Sequence, residues 1–270
     1  MDRQYRVYGF SGADHIALAT GQIYRLGRRE KIEELELDGD IVQFDNPAPG
    51  VFAAVVRDPA DGSCRIAYDN GDGNVSYVEE KGSRFTIAQA NKKKDAVTDV
   101  CISEDGENVT FVSEQERTIC IYNTKSDSLK VVKAKEENRV LASCRFSKDG
   151  DTLYVITVDG GLSVIDTGSG KLIATAEAGV RVDEDRRSKS TGILQAASDG
   201  DLVIYARDSV LLMDMEKLDV RAVISGQATY IPEAERIITT DGTDYYAGRY
   251  LTGEESKKAA EAFLKKYGRE

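Results

Sequence analysis

The sequence predicts an all-β protein of about six (five to seven) four-stranded units, followed by a short C-terminal α-helix. Three observations predict it: a repeating four-strand pattern, a tight turn that recurs at the same place in that pattern, and an amphipathic stretch at the end. Residues 96–135 read AVTDVCISEDGENVTFVSEQERTICIYNTKSDSLKVVKAK, and 139–179 read RVLASCRFSKDGDTLYVITVDGGLSVIDTGSGKLIATAEAG. Each holds four short alternating runs parted by turn residues, the pattern of buried or half-buried strands. The turn Ser103-Glu104-Asp105-Gly106 returns as Ser147-Lys148-Asp149-Gly150 and, shorter, as Ser198-Asp199-Gly200. Asp-Gly suits such a turn because glycine takes positive φ without steric cost.

Third strands end at Ile121-Tyr122-Asn123, Val164-Ile165-Asp166 and Leu212-Met213-Asp214, 43 and then 48 residues apart. That period fits the four-stranded blades of a β-propeller. The other units follow in order. Residues 5–39 carry YRVYGFS, HIALAT, QIYRL and KIEELEL. Residues 40–92 form a longer unit: VFAAVVR and CRIAYD flank Asp58-Pro59-Ala60-Asp61-Gly62, then NVSYVEE and SRFTIAQ follow, so an extra hairpin is expected. Residues 191–226 hold the third copy of the repeat, and 228–251 supply three strands, ATYIP, RIITTD and DYYAGRYL, with no evident fourth. A propeller over 1–251 therefore precedes a C-terminal segment, 252–270. There Thr252-Gly253-Glu254-Glu255 forms a capping box, and Ala259, Ala260, Phe263, Leu264 and Tyr267 share one face of a helix expected over 253–267. That helix packs on the propeller wall or links to a partner. The unit without a fourth strand is completed by Gln4–Gly9, by the helix, or by another chain.

Composition excludes several functions. With 36 basic and 47 acidic residues the net charge is −11, which lacks the basic surface of a nucleic-acid or anionic-membrane binder. A single histidine rules out a multi-histidine metal centre, and the absence of Trp argues against an aromatic stacking platform. Cys64, Cys101, Cys120 and Cys144 form no CxxC pair and read as small buried thiols in a reducing compartment. The N-terminus lacks a signal-peptide pattern and the longest apolar run, Val51–Val56, is too short to span a bilayer, so a cytoplasmic protein is expected.

Motifs that could carry chemistry are few. Thr167-Gly168-Ser169-Gly170-Lys171 superficially matches a phosphate loop, but Ile165 stands where that loop needs glycine, and a strand–strand turn is expected. Asp69-Asn70-Gly71-Asp72-Gly73-Asn74 offers oxygen ligands suited to calcium, without the spacing of a known calcium loop; a conformational Asp-Gly turn is the main reading. His15 beside Asp14 could serve a general base, but no nucleophile elbow accompanies it. No carboxylate pair is singled out for hydrolysis. No cofactor, metal or catalytic residue is expected.

The repeats resemble degenerate WD-repeat propellers, with IYN, VID and LMD standing where that family has Trp-Asp. Every Trp and every Gly-His dipeptide of the family is missing, so its His-Ser-Trp-Asp network cannot form. Leu153–Thr175 (LYVITVDGGLSVIDTGSGKLIAT) is more similar to the Tyr-Val-Thr-Asn propeller repeat of surface-layer and lactonase-type proteins. The repeats, the lack of a catalytic constellation and a loop face of mixed charge predict a non-catalytic scaffold that binds another protein within a larger assembly. The resemblance of Leu153–Thr175 implies the alternative, a propeller hydrolase or lactonase working through a central-channel carboxylate or metal site. Long loops on a rigid scaffold often bind, and the longest here, Val180–Thr191, is VRVDEDRRSKST. In a propeller the fourth-to-first and second-to-third strand connections share one face around the central channel, and on that loop face basic and acidic residues are mixed. Arg139, Arg186 and Arg187 are the candidate partner-binding residues.

Overall fold

Six antiparallel sheets follow one another along the chain. Blade 1 comprises β1 (Val7–Gly9), β2 (His15–Leu18), β3 (Gln22–Arg25) and β4 (Glu30–Glu34). Blade 2 comprises β5 (Asp40–Ala48), β6 (Val51–Arg57), β7 (Cys64–Asn70) and β8 (Ser76–Tyr77). Blade 3 holds β9 (Asp99–Ile102), β10 (Asn108–Ser113), β11 (Thr118–Asn123) and β12 (Ser128–Lys133). Blade 4 holds β13 (Leu141–Phe146), β14 (Thr152–Thr157), β15 (Gly161–Asp166) and β16 (Lys171–Glu177). Blade 5 holds β17 (Leu194–Ala196), β18 (Asp201–Tyr205), β19 (Ser209–Asp214) and β20 (Val220–Ser225). Blade 6 has three strands among the described residues: β21 (Ala228–Ile231), β22 (Arg236–Thr240) and β23 (Tyr245–Arg249). The structure is a computed structural model. It describes residues 7–9, 15–18, 22–25, 30–34, 37, 39–48, 50–60, 62–78, 97, 99–113, 118–133, 140–182, 194–196, 200–207, 209–225, 228–231, 236–240, 245–249 and 258; for β1–β4, β17 and β21–β23 it describes the backbone alone.

Each sheet is a simple meander whose strands pair in sequence order. First strands of successive blades lie together, β5 beside β9, β9 beside β13 and β13 beside β17. Fourth strands therefore face outward. Alternation sets what each face covers, because successive side chains of a strand point to opposite sides. Val109, Phe111, Cys120 and Tyr122 pack on Val55, Ile66 and Tyr68 of blade 2. Their neighbours Val112, Ile119 and Ile121 pack on Leu141, Cys144, Leu153 and Val155 of blade 4. Tyr154, Ile156, Leu162 and Val164 then meet Leu202, Ile204, Leu211 and Met213 of blade 5. Burying both faces explains the unbroken apolar runs VFAAVV, LYVI and VLLM. At about 1.5–3 kcal/mol per fully buried aliphatic side chain, these stacked faces dominate the stability.

The repeated turn has one hydrogen-bond plan. In blade 3 the Gly106 amide donates to the Ser103 carbonyl (2.9 Å), the Ser103 hydroxyl to Asp105 (2.6 Å), and the Asn108 amide to the Ser103 hydroxyl (2.9 Å). Ser147, Asp149, Gly150 and Thr152 repeat it at 3.0, 2.6 and 3.0 Å. Gly106 also fits tightly: at φ +72° a Cβ there would lie 2.5 Å from the Asn70 carbonyl oxygen of blade 2. Gly62, also at positive φ (+76°), would meet nothing within 4 Å.

Blade 2 departs from expectation. Its first strand is β5, upstream of the VFAAVVR run, and β8 is only two residues long. Asp45, Asn46 and Pro47 interrupt the apolar alternation of β5, and the register shifts at Ile41/Gln43 and at Asp45/Ala48. Proline cannot donate to a ladder, so Pro47 reads as a break until bulges are allowed for. SRFTIAQ lies outside the described residues, as does the C-terminal helix apart from Lys258, which is helical and exposed.

Candidate functional site

The charged loop after β16 has a fixed root. Ala178 donates to the Gly160 carbonyl (2.9 Å), Val182 to the Val158 carbonyl (3.1 Å), and Arg207 of blade 5 to the Arg181 carbonyl (3.1 Å). Val182 also bridges Ala206 and is buried in the seam between blades 4 and 5. Gly160, at φ +92°, makes room for this crossing, since a Cβ there would lie 2.2 Å from the Val180 carbonyl oxygen. Arg181 and Arg207 are exposed on either side of the root. Arg139, Arg186 and Arg187 lie outside the described residues. His15 begins β2 as expected, its side chain undescribed.

Sequence reasoning missed a second arrangement, a polar cluster where the first strands of blades 2, 3 and 4 meet. The Arg145 guanidinium on β13 pairs with the Asp45 carboxylate on β5, reaching past blade 3. The other Asp45 oxygen accepts the Ile102 amide of β9 (3.0 Å). Asp99 of β9 accepts the Ser143 hydroxyl (2.5 Å) and the Cys144 amide (3.1 Å) of β13. Burial pushes the Asp99 carboxyl above its ordinary value, against the pull of Arg145 and of its two donors. Beside it the Cys101 and Cys144 sulfurs lie 3.3 Å apart. The signal was present: Asp99 and Arg145 are charges inside strands that are otherwise buried. Chemically the cluster is spent on holding three blades together, each carboxylate engaged by a donor from a neighbouring blade.

The motifs set aside in the sequence prove to be turns. Asp69 accepts the amides of Gly71 (2.8 Å) and Gly73 (3.2 Å), and Asp72 accepts that of Asn74 (2.8 Å). These carboxylates thus cap their own loop, and among the described residues no group of three or more His, Cys, Asp or Glu could hold a metal ion. Thr167–Gly170 joins β15 to β16, which Lys171 begins, with Asp166 capping Ser169 (2.7 Å). Asn123 and Asp214 do the same for the turns after β11 and β19.

Comparison with solved structures decides the architecture. A propeller chain from the crystal structure of the mitotic checkpoint complex superposes with a TM-score of 0.61, over 91% of this chain and 74% of that one, at 12% identity. The protein is a β-propeller. No protein-family model and no curated protein matches the sequence. At that identity the likeness shows the fold alone. No helix among its described residues is long and apolar enough to cross a membrane.

Proposed function

We propose that the propeller is a non-catalytic scaffold that binds another protein through the loop face carrying Arg139, Arg186 and Arg187, within a larger assembly in the cytoplasm. The fixed root at Val182 carries this reading: a charged loop held by two backbone hydrogen bonds to blade 4 and one to blade 5 is presented with little ordering cost at its base. The similar propeller in the mitotic checkpoint complex is itself part of a protein assembly, which is consistent with this role. The buried carboxylates Asp45 and Asp99 are engaged with neighbouring blades, which speaks for structure over hydrolysis.

The test is capture of the partner with the intact chain, followed by titration of the purified pair. Arg186→Glu/Arg187→Glu is expected to weaken binding at least tenfold, while Lys148→Glu, at the turn between the first two strands of blade 4, leaves it unchanged. Equal affinities for the two variants would exclude the loop face.

A further inference from the structure

We propose that Cys101 and Cys144 form a reversible disulfide that joins blades 3 and 4 covalently when a small hydroperoxide reaches the seam between them. Three observations carry it. The two sulfurs already lie 3.3 Å apart on β9 and β13, although 43 residues separate them in sequence. Both residues are buried free thiols in this structure, on strands of two different blades. The backbones that bear them are pinned together one step away, where Asp99, two residues before Cys101, accepts the Cys144 amide at 3.1 Å. A disulfide needs about 2.05 Å between sulfurs, so closure asks for side-chain rotation and a small approach of two strands that already pack side by side.

The chemistry balances with hydrogen peroxide as oxidant. One thiolate attacks the O–O bond, becomes a sulfenic acid and releases one water. The second sulfur then attacks the sulfenic sulfur, the S–O bond breaks, and the oxygen leaves as a second water with the remaining thiol proton. Two thiols and one peroxide give one disulfide and two waters. Arg145, next to Cys144, favours the thiolate of either cysteine. Burial opposes it and pushes both thiols up, so the reaction is slow and selects an oxidant that is small and uncharged.

The experiment uses the folded, reduced chain treated with hydrogen peroxide, then alkylated in denaturant, digested and mapped by mass spectrometry. The expected result is a cross-linked peptide pair joining residues 101 and 144, with the intact chain lighter by two hydrogens and the thiols restored by dithiothreitol. A Cys144→Ser chain, given the same treatment, loses the cross-link and accumulates an oxidised Cys101 monomer. Recovery of both cysteines as alkylated thiols from the wild-type chain overturns the proposal. So does their conversion to sulfinic acids without a cross-link, or a cross-link that forms only after the chain is unfolded.

Discussion

Individual residues of this propeller are constrained by what sits opposite them on the next blade. Gly106 and Gly62 share a positive φ, but only Gly106 presses on a neighbouring backbone. Gly62→Ala should therefore cost about 1 kcal/mol, the conformational penalty alone, whereas Gly106→Ala should cost about 2–4 kcal/mol because Asn70 has to move as well. Urea unfolding of the two variants checks the difference. Asp99 makes a prediction about pH. Its pKa in the folded chain lies above the unfolded value, so its stabilising contribution is complete below about pH 4 and is lost as pH rises through the folded-state value. Asp99→Asn should remove that slope: unfolding midpoints of variant and wild type should separate in the variant's favour as pH climbs from 4, then run parallel. The Asp-Gly turns were legible in the sequence because their hydrogen bonds are local; Asn123, Asp166 and Asp214 were read there only as strand ends, and the structure adds that each caps the turn that follows. The pairing of Arg145 with Asp45 was not, because its partner stands 100 residues away on a blade it does not adjoin.

Strands and turns show a division between inner and outer positions. Inner strands carry the polar cluster, so cutting one of its links should be felt by three blades. Arg145→Met leaves the Asp45 carboxylate buried without its cation and should cost about 3 kcal/mol; adding Asp45→Asn should restore part of that loss, a coupling measurable by a double-variant cycle. Outer strands are plainer. Ile173 (60% exposed) and Arg221 are extra residues in register shifts of β16 and β20, and such bulges twist an edge away from further pairing. The first strand of blade 2 escaped the sequence pattern for a related reason: its bulges shift alternation by one residue, which defeats a period-2 search. At the loop root, Gly160→Ala should displace Val180 and, with it, the segment that follows; partner binding should fall in that variant while its far-ultraviolet circular dichroism remains that of a β-protein.

At the scale of the molecule, apolar clusters that each span two blades join blades 2 to 5 into one packed stack. They should unfold in a single transition. Hydrogen exchange followed by mass spectrometry should show β9 and β13 exchanging only through that global event, and β12, β16 and β20 orders of magnitude faster, since one edge of each faces water. The ion pair that skips blade 3 has a further consequence during synthesis. As the chain leaves the ribosome, blades 2 and 3 can stack as soon as both have emerged, yet Asp45 stays without its counter-charge until another blade has followed. Nascent chains released just after residue 133 should therefore pack their first blades loosely, and those released after residue 177 should lock them, as arginine delivers from the fourth blade the charge that the second has been missing.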